Sequence, residues 1–181
     1  MRVYEVKCDV NNYQYFLSET VDGDELVLDG TAKDEHWSVP SSYIYEPQLK
    51  RGNFFAFNLG LGGFVLDRLA VEVLSRAGQL PPQLVPFKYS GEEYFVWNNT
   101  NKISLDRESE DRSSLAHFSR QIVVEWGQIK FDQFSTFRVS SYRLKLFTCT
   151  GVFSVESEFK SIVENAGLTG LTFHEIWHDE V

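Results

Sequence analysis

A chain of 181 residues with a net charge of −9 is long enough to bury one sizeable core, and its field repels phosphate backbones, which argues against a nucleic-acid partner. Hydrophobic residues at 43% and aromatics at 15% exclude a disordered chain. No apolar run approaches the roughly 18 residues of a membrane span, so no membrane partner is expected.

The chain begins Met1-Arg2-Val3-Tyr4-Glu5-Val6-Lys7, which lacks a continuous apolar core and reads as a strand instead of a secretory signal, setting a cytoplasmic expectation. Tyr4, Val6 and Cys8 alternate with Glu5, Lys7 and Asp9, the pattern of a half-buried strand. Short strands are expected over 13–17 and 26–28, on either side of the turn-rich Val21-Asp22-Gly23-Asp24, and again over 53–57. The glycines of Gly60-Leu61-Gly62-Gly63 lack the lysine and hydroxyl residue of a phosphate loop and the spacing of a dinucleotide fingerprint, so they read as a turn into a helix. That helix is predicted over 65–77, with apolar residues at 65, 66, 69, 70, 73 and 74, and is stopped by Gly78 and Pro81-Pro82.

Strands are predicted over 84–87 and 94–97 around a turn at Ser90-Gly91, and over 121–126, 136–139 and 143–149 after a polar stretch. A second helix is predicted over 155–166 from Phe159, Ile162, Val163 and Ala166 at helical spacing, with Ser154 as N-cap and Gly167 just past the end. Two helices against eight to ten short strands, without regular βαβ alternation, predict an α+β fold: one domain over 1–181 with a mainly antiparallel sheet. Cys8 and Cys149 are expected to be reduced, buried small apolar groups.

Two segments carry possible chemistry. His174-Glu175-Ile176-Trp177-His178 spells the H-E-x-x-H zinc-protease pattern, which works only on a helix, where residues four apart share a face roughly 6 Å apart. On a strand the two histidines point the same way but stand about 13 Å apart, beyond the reach of one ion. Leu171-Thr172-Phe173 alternates like a strand after the Gly167–170 turn, placing Leu171, Phe173 and Trp177 toward the core, and few residues remain to supply a third ligand. His36 and His117 show no ligand spacing, so neither a metal nor a cofactor is expected. A metal-dependent hydrolase using His174, Glu175 and His178 stays the alternative, beside a housekeeping interaction module. The second segment, Leu105 to Arg112, carries Asp106, Glu108, Glu110 and Asp111. It reads as a solvated loop that could also meet a basic partner.

A set of ordered landmarks spans nearly the whole chain. They are Trp37-Ser38-Val39-Pro40, Gly52-Asn53-Phe54-Phe55, the helix with Leu69-Ala70 and Leu74, Leu84-Val85-Pro86-Phe87, and Glu93-Tyr94-Phe95-Val96-Trp97-Asn98. Leu105-Asp106 follows, then Phe159-Lys160 and Gly167-Leu168-Thr169-Gly170-Leu171-Thr172-Phe173. In order and spacing they resemble immunity protein family eleven of bacterial polymorphic toxin systems, in which Asp often stands where this chain has Asn53. The resemblance implies a non-enzymatic protein that binds and neutralises a cognate toxin encoded next door. It implies no catalytic residue, because the shared residues are of types that shape a fold. For a basic, nuclease-type toxin, Asp106, Glu108, Glu110 and Asp111 are the candidate contacts.

Overall fold

The computed structural model describes residues 1–19, 26–80, 82–103, 126, 129, 131, 134–139, 142 and 144–179. Eleven strands and two α-helices are described: β1 (Arg2–Cys8), β2 (Tyr15–Ser18), β3 (Ser42–Tyr45), β4 (Phe54–Phe57), β5 (Gly63–Asp67), α1 (Arg68–Arg76), β6 (Gln83–Tyr89), β7 (Glu92–Asn98), β8 (Lys102–Ile103), β9 (Thr136–Val139), β10 (Leu146–Thr150), α2 (Phe159–Asn165) and β11 (Leu171–His178). They form a five-stranded sheet in the order β11-β1-β10-β9-β8 and a six-stranded sheet in the order β3-β2-β4-β5-β7-β6. Among the described strands, only β2–β4 and β8–β9 pair in parallel. The α+β class and the mainly antiparallel pairing expected from the sequence are those of the molecule, with two sheets in place of one.

Burial on both faces explains the composition of the strands. Between the sheets, Val6 and Leu146 meet Phe54, Phe64, Leu66 and Trp97, and the helices add Ala70, Leu74, Phe159, Ile162 and Val163. The other face of the six-stranded sheet carries Phe16, Phe55, Phe57, Val65, Tyr94 and Val96, covered by Leu28, Trp37 and Val39. The outer face of the five-stranded sheet carries Val3, Phe137, Val139, Phe147 and Cys149. Strands such as Phe54–Phe57, buried along their whole length, therefore read as continuous apolar runs instead of alternating ones.

This double burial also corrects the first helix. Residues 65–67 belong to β5, and the helix starts at Arg68. Asp67 is its N-cap, accepting the Ala70 N–H at 2.8 Å. Leu69, counted toward the core by spacing, is 52% exposed, and the buried face is Ala70 and Leu74. The glycines at 60–63 close a hairpin between β4 and β5 instead of leading into a helix. Leu28 is buried, but 26–28 form no strand.

The second helix is shorter than 155–166. A 3₁₀ turn at Val155–Ser157 precedes α2, and Ser154 makes no side-chain cap bond. The cap comes from elsewhere in the chain: Ser135 Oγ accepts the Phe159 N–H at 2.7 Å. Ser135 in turn donates from both its N–H and Oγ to Gln79 Oε1, each at 3.1 Å. A buried hydroxyl thus ties the start of α2 to the residues that follow α1. The predicted strand over 121–126 lies outside the described residues, save Trp126.

The landmarks at 52–55 and 167–173 meet in space. Asn53 and Phe54 both donate their N–H to Thr169 O at 3.0 Å. Asn53 Oδ1 accepts from the Thr169 N–H at 3.0 Å, and Asn53 Nδ2 donates to Asp67 Oδ2 at 2.9 Å. A Cβ on Gly170 would stand 2.1 Å from Phe54 O, at a φ of +102°, so only glycine allows the two backbones to approach this closely.

Candidate functional site

The segment with the zinc-protease pattern lies on β11, an edge strand paired antiparallel to β1. Phe173 stands opposite Val6, Glu175 opposite Tyr4 and Trp177 opposite Val3, leaving Ile176 as the extra residue of a β-bulge. A bulge shifts side-chain parity by one. Trp177 therefore leaves the face of Phe173 and packs beside Val3 on the outer face of its sheet, which corrects the expectation that both share one side. Phe173 packs between the sheets, its ring centroid 6.2 Å from that of Phe159.

The same bulge separates the two histidines. His174 lies opposite Glu5 and His178 opposite Arg2, on the two different faces of the sheet. This is further from a metal site than the shared face expected of a regular strand. Their partners are local: His174 Nε2 lies 3.2 Å from Thr172 Oγ1, and His178 Nδ1 lies 3.0 Å from Glu175 Oε1, whose other oxygen is 3.6 Å from Arg2. Among the described residues, no three His, Cys, Asp or Glu side chains are placed to hold a metal ion. His36 is exposed beside Glu35 at 3.6 Å, and His117 lies outside the described residues. Asp106, Glu108, Glu110 and Asp111 also lie outside them.

The thiols are free, Cys8 at the end of β1 and Cys149 on β10, and they face opposite sides of their sheet. Cys8 packs toward the core between the sheets, while Cys149 stands opposite Val3 on the outer side. Burial pushes the Cys149 thiol up to about 12, with the nearby Glu158 carboxylate adding to the rise. Burial raises the Cys8 thiol too, although Cys8 is only half-buried and not fully buried as expected. Neither is poised as a thiolate nucleophile at neutral pH.

A cleft of about 390 Å³ opens where Lys7 and Cys8 run beyond the end of β10, facing the turn between β4 and β5. Val6, Ala56, Phe57 and Phe64 form apolar walls, and the exposed Leu59 and Leu144 flank it. Its buried acid, Glu5, meets two lysines: Lys7 Nζ at 3.2 Å and Lys145 Nζ at 3.1 Å. Both carboxylate oxygens are thus engaged by ammonium groups, a structural pairing and not a free base.

Arg138 sits behind this cleft without solvent exposure. It donates to Asn99 O at 3.2 Å, Gly62 O at 2.7 Å and Lys145 O at 3.4 Å. Burial lowers its pKa to about 10, opposed by the charge of Asp29. The guanidinium ties together backbone from three other parts of the chain, a fastening role that the sequence did not reveal.

The exposed aromatic pair Tyr43 and Tyr45, on β3, also escaped the sequence reading. The signal was present: Tyr-Ile-Tyr alternates between Pro40 and Pro47 inside a stretch, 37–45, with no charged residue.

Searches against protein-family models, curated proteins and solved structures each return no match.

Proposed function

We propose that this protein is a non-enzymatic immunity protein that binds and neutralises a cognate bacterial toxin in the cytoplasm. The observation that carries the reading is the ordered set of landmarks from Trp37 to Phe173 and the meeting of two of its groups. Gly52-Asn53-Phe54 and Thr169-Gly170, more than 110 positions apart, join through four hydrogen bonds and one backbone contact that only glycine permits. Motif residues held by such contacts shape a scaffold, the role expected of a protein that works by presenting a surface.

The net charge of −9 suits a basic toxin, because opposite fields raise association rates to about 10⁸–10⁹ M⁻¹s⁻¹ at low salt. Asp106, Glu108, Glu110 and Asp111 would act as steering charges in that encounter. No cofactor takes part in this function.

Co-expression with the effector encoded by the neighbouring gene tests the reading. Growth is restored and the two proteins co-purify. Failure of every neighbouring effector to bind or be neutralised overturns the assignment. Neutralising the four acids together slows association at low salt, and the difference shrinks as salt screens the field.

A further inference from the structure

Among the described residues, four strands stand at the sheet edges: β3 and β6 in one sheet, β11 and β8 in the other. Unpaired edges recruit other strands unless something blocks them. β6 contains Pro86, which has no N–H to offer, and its Gln83 side chain is bonded in both directions to the Lys33 backbone. β11 is bulged at Ile176 and lined by His174, Glu175 and His178. β8 is only two residues long.

β3 has none of these devices. It is regular against β2 from Ser42 to Tyr45 and contains no proline and no charge. Ile44 turns inward beside Phe16, while Tyr43 and Tyr45 are 39% and 42% exposed. The Tyr45 ring is steadied against Tyr15 at 5.3 Å between centroids. Tyrosines held in this way supply large contact area at low entropic cost.

The ends of the strand name the occupant. Glu19 is exposed, and its N–H donates to Ser41 O at 2.8 Å. Glu46 follows Tyr45 directly. An uncharged strand with a carboxylate at each end fits a cationic strand. A second copy fits badly, because antiparallel pairing of two β3 edges would set Glu46 of one chain beside Ser41 and Glu19 of the other, between molecules that each carry −9.

We infer that the β3 edge docks an extended, lysine- or arginine-bearing strand of the cognate toxin by β-augmentation. The inference rests on the immunity reading. Main-chain hydrogen bonds fix the incoming strand, Tyr43 and Tyr45 pack on its apolar side chains, and Glu19 and Glu46 receive its cations.

The test uses the purified effector encoded by the neighbouring gene. Effector binding slows amide exchange at Ser42–Tyr45 in the wild type. The Tyr43→Lys/Tyr45→Lys double variant, with an unchanged unfolding midpoint, binds at least about 30-fold more weakly, the scale of an interface hot spot. A Glu19→Gln/Glu46→Gln variant, which keeps both tyrosines, loses affinity at low salt and little at high salt. Wild-type affinity in both variants without amide protection overturns the docking edge and leaves the immunity reading standing. An effector that does not bind the wild type overturns both. A wild-type dimer that the double variant abolishes assigns the edge to a second copy and overturns the inference. Should the double variant fail to fold, amide protection in the wild type decides alone.

Discussion

The two halves of the last stretch, 167–173 and 174–178, sit side by side in sequence and obey different rules in space. In the first half, Gly167 ends α2, Thr169 and Gly170 press against the start of β4, and Phe173 enters the core. In the second half the chain bulges at Ile176, and His174, Glu175 and His178 lie exposed along a sheet edge. The chemically suggestive residues are in the half with few neighbours. The constrained half contains no chemistry at all, only shapes that its neighbours leave no room to change. Constraint here follows contact and not the reactivity of the side chain.

The sharpest break of that comparison is Gly170→Ala. The new Cβ meets Phe54 O at 2.1 Å, at a φ of +102°, so β4 and the 168–170 turn must separate and release the bonds through Thr169. A loss of at least about 3 kcal/mol is expected, out of the roughly 5–15 available to a domain. Gly167→Ala is the internal control. Its φ is +65°, but nothing lies within 4 Å, so only the left-handed penalty of about 1–2 kcal/mol applies. Denaturant midpoints that rank the two the other way round would show that the close approach at Phe54 is not what demands glycine.

Phe173→Ala comes next. Its ring packs on Phe159 and lies under Lys160 Nζ at 5.6 Å. Complete burial would put the cost of truncation at about 3–5 kcal/mol, and a half-buried ring falls nearer 2–3. An unchanged unfolding midpoint would mean that β11 is held by its backbone alone.

Asn53→Asp sharpens the comparison through charge. The new carboxylate would face Asp67, whose Oδ2 now accepts from Asn53 Nδ2 at 2.9 Å and whose Oδ1 caps α1. Two facing carboxylates raise a pKa in the folded state above its unfolded value near 4. Between those values the folded variant holds a proton that the unfolded chain has released. Stability therefore falls as pH rises through that window, and the variant is nearest to wild type below it. A deficit of about 1–3 kcal/mol at neutral pH is expected. An equal deficit at pH 3 and pH 7 would point to lost geometry instead of repulsion.

Much of this was legible in the sequence where one residue type has one physical use. The strand at β1, the paired strands around Ser90-Gly91 and the stop at Gly78 all stand as read, but β1 is buried on both faces from Val3 to Val6 and is not the half-buried strand its alternation suggested. Val65 and Leu66 misled because an apolar pair continues a helical stripe as readily as it fills a strand buried on both faces. Asp67, a typical cap residue, marked the true boundary. The position of Trp177 was not legible at all, since a one-residue bulge flips its face without changing its spacing from Phe173. Nor was the cap of α2, whose hydroxyl comes from Ser135, 24 positions away. Of the candidate site, Tyr43 and Tyr45 were visible only as an uncharged stretch, because whether a strand lies at an edge is decided by pairing partners distant in sequence.

The smallest expected effect belongs to the residues with the strongest motif. His174→Ala/His178→Ala removes two exposed rings whose contacts are with Thr172 and Glu175 on their own strand. Exposed local pairs of this kind contribute about 0–1 kcal/mol, so the unfolding midpoint should scarcely move. The opposite orientation of the two rings predicts more: zinc should bind neither the wild type nor the variant at one ion per chain, and chelator should leave the wild-type midpoint where it was. Stoichiometric zinc in the purified wild type, lost in the double variant together with a fall in midpoint, would require both rings on one side. That in turn would require β11 to lose its bulge and its register with β1. Metal content measured beside amide exchange of β11 distinguishes these outcomes, because a strand rewound into a zinc-binding helix would give up the ladder that pairs Phe173 with Val6 and with it the packing of Phe173 on the core.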